Sequence, residues 1–183
     1  MPITPEHALA VYREADCLAT EAQVNEALAR MARHIHEELA ERNPVVLVVL
    51  TGALVPAGCL LPLLDFPLEL DYIHATRYAG ATAGGELYWI AHPRTPMTGR
   101  AVLIIDDILD EGPTLAAIIE HCRAEGATDV LSAVLVEKVH ERKNGLKADF
   151  VGLEVEDRYV FGYGMDYKGY WRNAPGIFAV KDN

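Results

Sequence analysis

Long apolar runs are missing from this chain. None approaches the roughly 18 residues needed to span a membrane, and the opening MPITPEHALAVYREAD lacks the basic-then-apolar plan of a secretion signal. Cysteine is scarce: Cys17, Cys59 and Cys122 are odd in number and have no metal-ligand spacing. That excludes a disulfide framework and fits a reducing, cytoplasmic setting. Positive charge is short as well, with 16 Lys and Arg against 27 Asp and Glu and a formal net charge of −11. A nucleic-acid surface would show a basic stripe, so nucleic acid is an unsuitable partner. An anionic small molecule remains suitable, provided local donors or a metal ion receive it. There are no internal repeats, low-complexity tracts or linkers. The 183 residues, 51% of them apolar, suit one soluble domain that buries about two-thirds of its unfolded surface.

Periodicity supplies the elements. Thr20 and Gln23 have capping-box spacing, and behind them Val24, Leu28, Met31, Ile35 and Leu39 recur at steps of three and four. That pattern predicts a helix of about 20 residues, halted by Asn43-Pro44. Its apolar stripe is a candidate contact between copies of the chain. VVLVVL (45–50) has no polar face, which suits a strand buried on both sides of a parallel sheet. A turn and short helix follow in TGALVPAGCLLPLL. LELDYIHATRY (68–78) alternates as a strand, AGATAGGE (79–86) is a Gly-rich loop, and ELYWI resumes extended chain as a hairpin partner. AVLIID (101–106), VLSAVLV (130–136) and ADFVGLEV (148–155) are further strands, with a helix from Thr114 to about Glu125. An aromatic and glycine-rich tail closes on a short apolar strand. Strands alternating with helices predict an α/β domain built on an open, mainly parallel twisted sheet. Ligands in such folds sit beyond the carboxyl ends of the strands.

The stretch VLIIDDILDEGPTL (102–115) lies at such an end. Asp106 and Asp107 fall where the chain is expected to turn, so both can address one ligand. Paired carboxylates accept hydrogen bonds from a vicinal diol, and they also suit a divalent cation. Asp110 then opens a segment whose Gly112 and Thr114 enter a helix, where backbone N–H groups and the helix dipole favour an anion. A sugar carrying a phosphate satisfies both halves. Ordinary helix capping by Asp110, Glu111 and Thr114 would use the same residues.

DDILDEGPT resembles the 5-phosphoribosyl 1-diphosphate (PRPP) signature of the type I phosphoribosyltransferases. DFVGLEVEDRYVFGYGMDYKGYWRN resembles the C-terminal part of their 6-oxopurine (hypoxanthine–guanine) branch, and the spacing through Lys138 fits as well. The resemblance covers roughly residues 18–180. It implies a parallel sheet with a small hood, made by the N-terminal segment and about 155–183. It also implies a purine-salvage reaction in which a base displaces diphosphate from PRPP with Mg²⁺ as cofactor, in a homodimer or homotetramer. Carried over by residue, Asp106 and Asp107 hold the ribose hydroxyls, and Asp110 is the general acid/base at the purine N7. Thr114 and the amides of Glu111 and Gly112 hold the 5′-phosphate, with the Glu111 side chain pointing away. Lys138 donates to the 6-oxo group, Tyr159 stacks on the base and the Val160 backbone reads its edge. Asp166 helps place Mg²⁺, while Arg172, Thr51 and Gly52 lie on the diphosphate side. Segment 79–85 is the lid that excludes water.

The pattern departs at three places. Thr51 stands where many members carry lysine, Arg77-Tyr78 where the mobile loop has Ser-Tyr, and Pro113, which has no N–H, where lysine is frequent. Arg77 is a candidate replacement for the missing charge. Other readings are a type I transferase preferring xanthine, a PRPP- or nucleotide-sensing regulator, and a receiver-like domain built on Asp106 and Lys138. Adenine is disfavoured, since its 6-amino donor would face a lysine donor.

Overall fold

The computed structural model describes residues 3–77, 87–142 and 145–181. The elements are α1 (Pro5–Glu14), β1 (Asp16–Thr20), α2 (Glu21–Leu39), β2 (Val45–Leu50), α3 (Leu54–Leu60), β3 (Glu69–Arg77), β4 (Leu87–Ala91), β5 (Ala101–Leu109), α4 (Pro113–Ala124), β6 (Asp129–Val139), β7 (Phe150–Glu156), β8 (Val160–Phe161) and β9 (Gly176–Ala179). Six strands form one sheet in the order β4-β3-β2-β5-β6-β7. Every neighbouring pair is parallel except the edge pair β3–β4. This is the open, mainly parallel sheet that the sequence predicts. β2 is buried from Val45 to Val49, as its unbroken apolar run of Val and Leu requires.

Chain direction reverses at the centre of the sheet. From β2 the chain steps through α3 to β3 on one side, and from β5 it steps through α4 to β6 on the other. The carboxyl ends of β2 and β5 therefore flank a topological switch point, the usual ligand crevice of such sheets. The Leu50–Thr51 peptide in the loop leaving β2 is cis.

α2 starts with the capping box: the Gln23 N–H donates to Thr20 Oγ1 and the Thr20 N–H to Gln23 Oε1. Its stripe is not free to meet another copy. Val24, Leu28, Met31, Ile35 and Leu39 are all buried in the chain's own core, so the expected contact between copies is corrected. α2 packs on β7, where Gly152 leaves room for the Met31 sulfur.

Above the sheet, β1, β9 and β8 make a small antiparallel sheet that joins the two ends of the chain. α1 escaped periodicity analysis, although Thr4-Pro5 is a helix-start signal, with Thr4 Oγ1 accepting from the His7 N–H. It is fixed from a distance. The Trp171 indole donates to Ala8 O at 2.7 Å, and Tyr12 stacks on Trp171 with ring centroids 4.5 Å apart. Among the described residues, no helix is long and apolar enough to cross a membrane. The three cysteines are free thiols.

Candidate active site

β5 delivers the acid pair, though not at a turn. The strand runs on to Leu109 because β6 keeps pairing beside it, Ile108 with Val136 and Leu109 with Glu137. The expectation that the chain turns at Asp106–Asp107 is thus corrected. The two carboxylates nonetheless reach one cleft: Asp106 Oδ1 folds back to accept the Asp107 N–H at 2.9 Å. Asp106 is only 8% exposed. Burial, then the neighbouring Asp107 charge, pushes the Asp106 carboxyl well above the usual range. Burial raises Asp107 too, against the pull of Asp106's hydrogen bond and of Arg172.

The sign of this effect gives a testable expectation. A carboxyl whose folded pKa is raised favours the fold below its unfolded value and loses that advantage as pH rises through the folded value. At neutral pH the pair is therefore a cost carried for function. Asp106→Asn is expected to raise the melting temperature at pH 7, by ~2–4 °C per kcal/mol relieved, and the gain should shrink towards pH 4. Differential scanning calorimetry across that range reads it.

A cleft of about 550 Å³ opens over this pair, lined by Gly52, Asp106 and Asp107, the loop Asp110–Thr114, Asp166 and Arg172. A second cavity of about 320 Å³ holds Lys138, Tyr159, Val160 and Met165. The two share Asp107, Ile108, Asp110 and Asp166 as a common wall. Gly112 caps α4 at φ 92°, a left-handed conformation for which glycine is the low-cost residue. No side chain caps this helix, so the N–H groups of its first turn remain available to an anion. The Glu111 carboxylate lies 3.8 Å from the Arg142 guanidinium.

Asp110 sits at the junction of the cavities. Lys138 Nζ donates to its Oδ2 at 2.8 Å, and His140 Nε2 lies 2.7 Å from its Oδ1. Burial pushes this carboxyl up, but the hydrogen bonds and charges of Lys138 and His140 outweigh it and hold it below the usual range. Lys138 also lies 3.7 Å from Asp157, which pairs with Arg142 at 2.6 Å. Asp110, His140 and Asp157 could group around a metal ion, yet the Lys138 ammonium already supplies a cation there. Neither His140 nor Asp157 stands out in the sequence. The available signal was alternation, since Lys138 and His140 are two apart at a strand end and share a side of it.

Arg172 donates to Gly164 O and pairs with Asp166 Oδ1, each at 2.6 Å, and Asp166 Oδ2 accepts the Gly169 N–H at 2.7 Å. Tyr159, 49% exposed, makes a T-shaped ring pair with Tyr167 and lines the second cavity. Val160 is buried in β8. Gly52 borders the cleft, while Thr51 is exposed and does not line it. The Arg77 backbone ends β3; its side chain, Tyr78 and the expected lid 79–85 lie outside the described residues. Five carboxylates and one cation, Arg172, line the larger cleft among the described residues. A polyanionic ligand there has to bring positive charge with it.

Comparison with known proteins identifies the family and the fold. The family model described as phosphoribosyl transferase domain matches residues 16–168. The hypoxanthine-guanine phosphoribosyltransferase of Bacillus subtilis is 35% identical over 90% of this chain and 92% of its own length. The hypoxanthine-guanine-xanthine phosphoribosyltransferase of Tritrichomonas foetus is 31% identical, covering 91% of each. A hypoxanthine phosphoribosyltransferase structure from Staphylococcus aureus superposes with a TM-score of 0.88 at 27% identity, covering 94% of this chain and 95% of that one.

Proposed function

The chain belongs to the phosphoribosyl transferase family, and from that premise we propose that it transfers the 5-phosphoribosyl group of PRPP to hypoxanthine or guanine. The products are IMP or GMP and diphosphate, a purine-salvage reaction, with xanthine as the alternative acceptor. One observation carries the reading: a phosphate-type cleft and a flat-ring cavity adjoin, with a charged, ion-paired Asp110 in the wall between them.

PRPP lies in the larger cleft. Asp106 and Asp107 accept from the ribose hydroxyls, and the α4 amides with the Thr114 hydroxyl hold the 5′-phosphate. Pro113 contributes no donor, so Glu111 and Gly112 serve through their backbone. Arg172 and Gly52 lie on the diphosphate side; for Thr51, Arg77 and Tyr78 a role towards PRPP rests on the sequence resemblance alone. The base enters the second cavity, stacks on Tyr159, meets the Val160 backbone at its edge and presents its 6-oxo group to Lys138. As the ring nitrogen attacks C1′ and diphosphate leaves, Asp110 takes the purine N7 proton. Its depressed pKa keeps it ionised and ready at neutral pH.

The donor set fits Mg²⁺. Asp166 and the charge-starved Asp106–Asp107 pair are the carboxylates that would hold it, and the ion supplies neutralisation of the leaving diphosphate. The chain acts as one domain in the cytoplasm and assembles as a homo-oligomer. Leu70, Tyr72, Tyr88 and Ile90, exposed on β3 and β4, are the apolar side chains suited to that contact.

The test is purified protein with PRPP, Mg²⁺ and each base in turn, following nucleotide formation. Product is expected from 6-oxopurines and not from adenine. No product from hypoxanthine, guanine or xanthine overturns the proposal.

A further inference from the structure

His140 has no part in the roles assigned above, yet it makes the shortest contact to Asp110. Its side chain is 7% exposed, so the imidazole is held in place rather than sampling solvent. The main chain selects its tautomer. The Arg142 N–H donates to His140 Nδ1 at 3.2 Å, which leaves the ring proton on Nε2, pointed at Asp110 Oδ1 2.7 Å away. The imidazole is then a neutral donor with both nitrogens engaged. Lys138 holds the other oxygen of Asp110, so each carboxylate oxygen has its own partner.

These two partners have different futures. On the reading of Asp110 as proton acceptor, Lys138 must turn to the 6-oxo group when a base arrives. A carboxylate that lost its sole holder at that moment could rotate away from N7. We propose that His140 is a positioning residue, the partner that stays, fixing Asp110 towards the purine proton while Lys138 serves the substrate. The surrounding charges suit this division. Asp157 stands 3.7 Å from Lys138 and is paired to Arg142, whose guanidinium also lies 3.8 Å from Glu111. Arg142 thus presents its amide to the ring and its charge to Asp157 and Glu111, which favours a neutral His140 opposite the Lys138 ammonium. The hydrogen bond to Asp110 also favours the ionised carboxylate, in keeping with its lowered pKa.

The experiment compares wild type, His140→Ala and His140→Gln, the last retaining an N–H donor of similar reach. Steady-state kinetics with hypoxanthine and PRPP are followed from pH 5 to 9, together with the ¹³C carboxyl titration of Asp110 in the substrate-free protein. His140→Ala is expected to lower kcat by ~10–100-fold, the scale of a misplaced catalytic group. The KM for PRPP stays near wild type, and the acid limb of kcat/KM for the base moves to higher pH. The Asp110 titration moves the same way. His140→Gln is expected to recover most of the loss. An unchanged kcat and unchanged Asp110 titration in His140→Ala would overturn the inference, as would equal losses in both variants with a common fall in melting temperature. The carboxyl titration needs no turnover. A wild type that makes no nucleotide would defeat the transferase reading, while the titration still judges the His140–Asp110 pair.

Discussion

Asp110→Asn is expected to bind PRPP as the wild type does while turnover falls ~10²–10⁴-fold, the usual loss on removing a general acid/base. The substitution keeps shape and removes one capacity. An amide cannot take a proton from N7, but it still fills the corner between Lys138 and His140. Asp106 and the first turn of α4 line the larger cleft alone, and Asp107 in the shared wall is left unaltered, so the contacts proposed for PRPP remain. Lys138, freed from its 2.8 Å ion pair, can move to Asp157, already 3.7 Å away. Calorimetric binding of PRPP beside single-turnover kinetics separates the two effects. Full turnover in this variant would assign the proton to another group.

Gly52→Ala is expected to cost at least ~10² in kcat/KM, because a misplacement of about 1 Å at a reacting site has that consequence. A Cβ at Gly52 would collide with the Asp107 carboxylate, and the Gly52 carbonyl is itself packed where a Gly164 side chain would fall. The turn after β2 is thus pressed between the Asp107 carboxylate and the backbone at Gly164. A methyl group drives Asp107 out of line, and the KM for PRPP should rise along with the fall in turnover. The stability penalty should be ordinary for overpacking, ~1–3 kcal/mol, leaving a folded protein by circular dichroism. Gly58→Ala supplies the control. It lies in α3 with nothing within 4 Å of an added Cβ, and should stabilise by ~0.4–1 kcal/mol with activity unchanged. A fully active Gly52→Ala would mean that the turn relaxes and that the close approach is dispensable.

The parts of this fold that show in the sequence are those whose cause is local. α2 announces itself by its capping box and stripe, and β2 by an unbroken apolar run rich in valine. α4 announces itself by Gly-Pro-Thr ahead of an apolar pattern. The parts that do not show are held by partners far along the chain. α1 depends on Trp171 and Phe178, and β8 exists as a pair with β9. β5 outlasts its apolar run because β6 continues beside it, which no reading of Asp106-Asp107 alone could reveal. In the site, DDILDEGPT marks the cleft because consecutive residues build it. His140 stays hidden because its meaning is a contact across 30 positions of sequence. The α2 stripe carries the reverse lesson: periodicity shows that a face is apolar, while only packing shows what covers it.

The wall shared by the two cavities, Asp107, Ile108, Asp110 and Asp166, also sets a thermodynamic condition. With PRPP and the base placed as proposed, each occupant rests on side chains that the other has already fixed, so their affinities are linked. By whatever factor phosphoribosyl diphosphate tightens the hold on the base, the base must tighten the hold on phosphoribosyl diphosphate by the same factor. On the proposed reading the nucleotide product spans both cavities and inherits that mutual support as a single molecule, so its departure has to undo both halves together.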